Sequence, residues 1–180
     1  HLDNKFGNTQ AEVKKEKLDT HYKIKTEASQ KQELNMIDNS SCLIKESGNI
    51  LSKEDPDYLF VLGDRYETYA VTLAAFYLQI PIAHSGGGNI TRGGCTDDVI
   101  RHSLTKLANL HFVTCKINAE NVKKLGEEEW RIINSGSPSI ETVVKEDLYN
   151  KEELENILKI NLDKPVVLFT QHAISTEPEK

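Results

Sequence analysis

The sequence predicts an α/β fold built on a parallel sheet, and three observations carry that prediction. Short apolar runs of strand length recur between residues 57 and 134, each followed by a longer segment with helical spacing. The runs are apolar without alternation, as in strands covered on both faces. Polar clusters fall at the carboxyl ends of three predicted strands: Gly63-Asp64-Arg65, His84 with a glycine-rich loop, and Gln171-His172. Strands alternating with helices imply βαβ units with right-handed crossovers. Ligands bind such sheets outside the strand carboxyl ends, so the clusters read as a ligand site before they say which ligand.

Residues 1–57 are rich in Lys, Glu and Asn, and the first ~40 are hard to read from pattern. His1-Leu2-Asp3 is not a natural start, so coding sequence is expected upstream. Asp57 to Gly63 reads as a buried strand between Pro56 and a glycine. Arg65 to Gln79 follows as a helix, apolar on most sides and therefore packed on a sheet. Ile80 to His84 is the next strand, with Pro81 near its start, where a missing N–H is tolerated. A loop from Ser85 to Gly94 leads to a helix over Asp97–Ala108, where Ile100, Leu104, Leu107 and Ala108 repeat at helical spacing. Leu110–Thr114 and Trp130–Asn134 read as strands, flanking a helix over Ala119–Leu125 that ends at Gly126. Helical segments follow around Ile140–Lys145 and Lys151–Leu158, and Pro165–Thr170 reads as a last strand.

Composition narrows the function. The 180 residues carry a net charge of −6, which offers no basic footprint to nucleic acid or to an anionic membrane. The longest apolar stretch, Ala70 to Leu78 broken by Thr72, is far too short to cross a bilayer, and a cytoplasmic location is expected. Cys42, Cys95 and Cys115 are odd in number and show no metal-binding spacing, as befits free thiols in a reducing compartment.

Three groups of residues carry candidate chemistry. Asp64 and Arg65 stand where a strand turns into a helix, and a carboxylate there is stabilised by the helix dipole. That placement suits a ligand group and an N-cap equally. The loop Ser85-Gly-Gly-Gly-Asn89-Ile-Thr-Arg-Gly-Gly94 holds five glycines in ten residues, yet it is neither a GxGxxG nor a Walker A loop. A backbone cradle for a ligand and a flexible connection both fit it. In Asp97-Asp98-Val-Ile-Arg101-His102, Asp97 is four residues from Arg101, and Asp98 reaches both Arg101 and His102. Two carboxylates at one helix start can hold different pKa values, although a salt-bridged surface helix uses the same pattern. His111, inside an apolar strand, reads as a core histidine.

These residues together resemble the hydrolysing UDP-N-acetylglucosamine 2-epimerases of the sialic-acid and legionaminic-acid pathways. Gly63-Asp64-Arg65-Tyr66-Glu67 is similar to that family's GDR motif. His84-x-Gly-Gly-Gly, followed by Asp97-Asp98-x-x-Arg101-His102-x-x-Thr105-Lys106-Leu107 and His111-Phe112, is similar to its HxEGG and DDxxRHxxTKL signature. His1-Leu2 with Gly7-Asn8-Thr9, Gly136-Ser137-Pro138-Ser139 and Gln171-His172 look like its early and late segments. The resemblance implies a Rossmann-like sheet forming the incomplete N-terminal half of a two-domain GT-B fold. It places residues 1–145 in that domain and 146–180 in the crossover and first strand of the next. A first strand is implied before His1, and most of a second domain after Lys180.

The resemblance also implies roles. Asp64, Asp97 and His172 would be catalytic, the carboxylates as acid/base groups and His172 assisting the departing diphosphate. His1, Arg65, Glu67, His84, Gly87, Asp98 and Arg101 would bind substrate, with Arg101 orienting sugar or carboxylates. No metal or other cofactor is implied; a UDP-sugar is the implied partner, and homo-oligomers are expected. One departure stands out. The family's third catalytic carboxylate belongs at Gly86, a second acid is replaced by Asn89, and the loop is about two residues longer before Asp97. An unshifted mechanism would lose acid/base help of about 10²–10⁴-fold. A UDP-2,4-diacetamido-6-deoxy-sugar epimerase, a non-catalytic nucleotide-sugar-binding domain and a GT-B glycosyltransferase are the rival readings.

Overall fold

A computed structural model of the chain describes residues 9–26, 34–91 and 96–170. The expectations placed on His1, Cys95, Gln171 and His172 lie outside the described residues. The chain divides into two compact units interleaved in sequence.

The described residues of His1–Leu59 and Tyr66–Pro81 form the first unit. It holds α1 (Gln10–Lys15), α2 (Asn35–Glu54) and α3 (Tyr66–Tyr77). α2 is a long helix that pattern reading leaves unassigned. Only Leu43, Ser47 and Leu51 are buried along it, a stripe one residue wide with a serine at its centre. That stripe packs on α3, whose buried positions are Ala70, Thr72, Ala74 and Ala75. Small side chains let the helices approach closely, and a β-carbon added to Gly48 would stand 4.0 Å from the Ala74 β-carbon. Asp55 closes α2 with φ +43, and its N–H returns to the Leu51 carbonyl. α3 ends in a Schellman-type turn: Gln79 adopts φ +60 and the Ile80 N–H reaches the Ala75 carbonyl at 3.0 Å.

The second unit comprises Phe60–Arg65 and the described part of Ile82–Lys180. Its sheet has the order β1-β2-β3-β4, from β1 (Leu59–Leu62), β2 (Ile82–Ser85), β3 (Leu110–Val113) and β4 (Ile132–Asn134). β3 runs parallel to both β2 and β4, with His84 in register with His111 and His111 with Ile132. The connections are α4 (Thr96–Leu107) and α5 (Lys116–Lys124), and α6 (Pro138–Lys145) and α7 (Lys151–Leu158) follow β4. The expected α/β class and parallel sheet are therefore present. Ile82, Leu104, Val113 and Val122 are fully buried between sheet and helices.

Two expectations are corrected here. The strand predicted from Trp130 begins two residues later, because Glu129–Arg131 forms a 3₁₀ turn. Arg131 is drawn there to Glu127, with Nη2 2.9 Å from Oε2. Pro165–Thr170 is not a strand; Val167 and Leu168 are about nine-tenths exposed (88% and 91%). A strand exists through its ladder, and apolar β-branched composition alone does not supply a neighbour.

His111 is a core histidine as the sequence suggests, paired at Nε2 only; its Nδ1 is buried without a partner. It is fully buried, with Nε2 3.2 Å from a carboxylate oxygen of Glu127, which also receives Lys106 and Arg131. Burial pushes the Glu127 carboxyl up, but Lys106, His111 and Arg131 outweigh it and hold it below its ordinary value.

Candidate functional site

The site grows from the carboxyl ends of β1 and β2. Beyond β1, Gly63 takes φ +86, a conformation that glycine adopts without strain, and the chain turns there into Asp64. The Gly63 N–H donates to the Ser85 carbonyl at 3.0 Å, and His84 Nε2 stands 2.9 Å from the Gly63 carbonyl. Both ends of this turn are thereby tied to β2.

Asp64 is met by Arg101, which α4 presents one turn in from its start. Arg101 Nε donates to Asp64 Oδ2 at 2.8 Å, and Nη2 pairs with the same oxygen. Nη1 donates to the Asn89 carbonyl at 2.9 Å and pairs with Asp98. With a side chain only 6% exposed, this guanidinium spends its donors on protein acceptors. Burial alone would lower its pKa, but the two carboxylates more than offset that and raise it, so it stays charged. The i,i+4 partner expected from spacing, Asp97, is not among these acceptors.

Asp98 accepts from the Thr91 N–H through both oxygens, at 2.8 and 3.1 Å, besides pairing with Arg101. Burial pushes its carboxyl up; the Thr91 N–H and the guanidinium outweigh burial and hold it below the ordinary carboxylate range. The contact predicted between Asp98 and His102 is absent from its hydrogen bonds, and the His102 Nδ1 is buried without a partner. Asp98 points instead across the helix start to the glycine loop. Asp97 stands half-exposed in the first turn of α4.

The glycine loop, as far as it is described, is anchored at Gly86, Gly88, Asn89 and Thr91. Gly86 donates to the Phe112 carbonyl at 3.0 Å, and Asn121 Nδ2 donates to the Gly88 carbonyl at 2.9 Å. Asn89 and Thr91 are held by Arg101 and Asp98 as above. Gly88 has φ +81, and a β-carbon there would lie 2.1 Å from the Asn118 carbonyl oxygen, so no other residue fits. At Gly87 a β-carbon would approach Thr105 Oγ1 to 3.1 Å and His84 Nδ1 to 3.4 Å. Gly86 differs. It has φ +100, but a β-carbon would meet nothing nearer than the Gly63 nitrogen at 3.8 Å. The anchoring favours a shaped cradle over a flexible connection.

The structure thus brings together Asp64, His84, Gly87, Asp98 and Arg101. Arg65 follows Asp64 and is exposed, while Glu67 lies in the first turn of α3 in the other unit. Sequence reasoning missed Asn89, Thr91, Asn118 and Asn121. The first two act through backbone atoms, which leave no residue-type signal; Asn118 and Asn121 sit on α5 and touch the loop only through the fold. Among the described residues no group of three metal-ligating side chains stands together, and no helix is long and apolar enough to cross a membrane.

The family described as UDP-N-acetylglucosamine 2-epimerase matches residues 1–180. A Campylobacter jejuni protein named GDP/UDP-N,N'-diacetylbacillosamine 2-epimerase (hydrolyzing) is 34% identical over 97% of this chain and 45% of its own length. The Escherichia coli polysialic acid biosynthesis protein P7 is 31% identical over 98% of this chain and 45% of its own. Among solved structures, the Neisseria meningitidis UDP-GlcNAc 2-epimerase bound to UDP-GlcNAc superposes with a TM-score of 0.69 over 84% of this chain and 42% of that one, at 20% identity. The chain therefore spans less than half the length of these relatives.

Proposed function

Because the chain belongs to the UDP-N-acetylglucosamine 2-epimerase family, we propose that it supplies the N-terminal, proton-transferring half of a hydrolysing UDP-sugar 2-epimerase. The observation that carries this reading is the buried Arg101 joining Asp64, Asp98 and the glycine loop at the strand ends where such sheets take ligands.

In the proposed reaction a carboxylate removes the sugar C2 proton while the C1–O bond to UDP breaks on the opposite face. A glycal and UDP result; water then adds its oxygen at C1 and a proton returns to C2, giving the epimerised free sugar. The C2–H is not α to a carbonyl, so the base must be well placed. Asp64 and Asp97 take the acid/base roles. Arg101 serves them by holding Asp64 and Asp98 in place. Arg65 lies toward sugar or phosphate, and His172 supports UDP departure. Residues 1–145 form this half and 146–180 lead into the next, in a cytoplasmic homo-oligomer.

With UDP-GlcNAc the product is N-acetylmannosamine. A UDP-2,4-diacetamido-6-deoxy-sugar is the second reading, favoured by the names of the Campylobacter jejuni relative and of a Legionella pneumophila relative, UDP-N,N'-diacetylbacillosamine 2-epimerase (hydrolyzing), 28% identical over 98% of this chain. A polypeptide carrying this chain and a second GT-B half, incubated with each UDP-sugar in D₂O and followed by NMR, decides. Free UDP with a product deuterated at C2 supports the reading and names the sugar. UDP binding without exchange or release from either sugar refutes it in favour of a binding domain, and transfer to an acceptor refutes it in favour of a glycosyltransferase.

A further inference from the structure

We infer that His84 is a positioning residue that never touches the sugar: it fixes Asp64 by holding the carbonyl of Gly63. The inference rests on the proposed epimerase reading. His84 is 0% exposed, so its ring is closed to a ligand, although the family resemblance assigns it to substrate binding. Its Nε2 is 2.9 Å from the Gly63 oxygen. A carbonyl only accepts, so Nε2 carries the proton, and Nδ1 is the lone-pair nitrogen. Nδ1 is buried without a partner, facing Gly87, whose missing side chain makes room for the ring and for Thr105 Oγ1.

The turn that presents Asp64 is thus gripped from two sides. The Gly63 N–H is held by the Ser85 carbonyl and the Gly63 carbonyl by His84, while Arg101 fixes the Asp64 carboxylate beyond. Glycine at 63, in a left-handed conformation, has no side chain to steady it, so its two backbone polar groups carry the alignment. Asp64 and Arg101 are the charged groups that bear on the ring, with His111 on the adjoining strand. Burial lowers the pKa of His84 and keeps the ring neutral, which suits a fixed donor and not a proton shuttle.

The test uses the active two-half polypeptide and three substitutions. His84→Leu keeps the volume and removes the donor; His84→Gln returns an N–H at the reach of Nε2; His84→Asn is polar but too short. The expectation is a kcat lowered about 10²-fold for Leu and Asn with KM little changed, the size of effect an ångström-scale misplacement produces. Gln should recover at least tenfold over both, and its pH profile should keep every limb of the unsubstituted enzyme. A raised KM with unchanged kcat would make His84 a substrate contact; a vanished pH limb would make it an acid or base. Equal losses in all three variants with matching drops in melting temperature would make it packing only. Each of these overturns the inference while leaving the epimerase reading intact. Absence of turnover in the unsubstituted polypeptide fails that reading, and the inference with it.

Discussion

Replacing Arg101 by methionine is the sharpest test of the site as a charged structure. The substitution keeps most of the side chain's length and removes the guanidinium that serves Asp64, Asp98 and the Asn89 carbonyl. The two carboxylates then fare differently. Asp64, 30% exposed, is partly rehydrated and adds little. Asp98 is 12% exposed and keeps only the Thr91 N–H. Removing one partner of a buried pair costs about 3–5 kcal/mol, and the surviving Thr91 contact argues for the lower end, about 3 kcal/mol at pH 7. The pH dependence identifies the cause. In the native chain the depressed Asp98 pKa contributes stability above the unfolded carboxylate range, lost as pH falls through the folded value. Without Arg101 the guanidinium's lowering effect is gone while burial remains opposed only by the Thr91 hydrogen bonds, so the folded pKa rises relative to that of the native chain. The variant is then penalised most at neutral pH and relieved on acidification, so its deficit narrows between pH 7 and pH 4. Urea unfolding of the 180-residue chain by circular dichroism at both pH values reads this directly. A deficit below about 1 kcal/mol, or one equal at both pH values, refutes the buried-charge argument.

Three further outcomes follow from the same geometry. Gly88→Ala drives a β-carbon into the Asn118 carbonyl, whereas Gly86→Ala makes only ordinary van der Waals contact with the Gly63 backbone and suffers only its positive φ. The first should cost about 3–5 kcal/mol and the second about 1–3 kcal/mol, compared by denaturant midpoint. His84 and His111 both have lowered pKa values because they are buried. Their stabilising effect is complete above the ordinary imidazole range and lost as pH falls below it, since the unfolded chain then binds more protons; melting temperature should begin to drop near pH 6.5, and constancy down to pH 5 would contradict it. Glu127→Gln removes the carboxylate shared by Lys106, His111 and Arg131 while keeping its shape. A loss of about 1–3 kcal/mol at pH 7, shrinking on acidification as Glu127 protonates in the native chain, is expected in urea unfolding.

What was legible in the sequence was what side-chain type encodes. The apolar runs at 57–63, 80–84 and 110–114 announced the sheet, and Asp64, Asp98 and Arg101 stood out as charges at strand ends and a helix start. What stayed hidden depended on context. α2 carries apolar pairs seven residues apart, Met36-Ile37, Leu43-Ile44 and Ile50-Leu51, but polar residues fill the intervals and only the narrow stripe Leu43–Ser47–Leu51 is buried, so the repeat is diluted in a polar segment. Pro165–Thr170 has strand composition but no ladder, because pairing is a property of neighbours. Spacing along α4 offered Asp97 to Arg101, but the guanidinium turned toward Asp64, thirty-seven residues away, a partner only the parallel sheet brings near.

The departure at Gly86 takes on a different meaning once the loop is seen. A β-carbon is accommodated there, but the backbone conformation is one that a glutamate adopts only under strain of about 1–3 kcal/mol. Relieving that strain means moving the loop, and the loop is fixed on both sides: Gly86 donates to Phe112, Gly88 is wedged on Asn118, and the Asn89 carbonyl is held by Arg101. A carboxylate at position 86 is therefore not one substitution away from working geometry. The loop conformation is built around glycine, which argues against a site that has merely lost a residue. On the proposed reading the proton transfers then fall to Asp64 and Asp97. Arg101 fixes Asp64 and, through Asn89, also fixes the loop that excludes a third acid. One guanidinium thus couples the alignment of Asp64 to a loop conformation that disfavours a carboxylate at position 86, and Gly86→Glu alone should disturb Asp64 more than it helps.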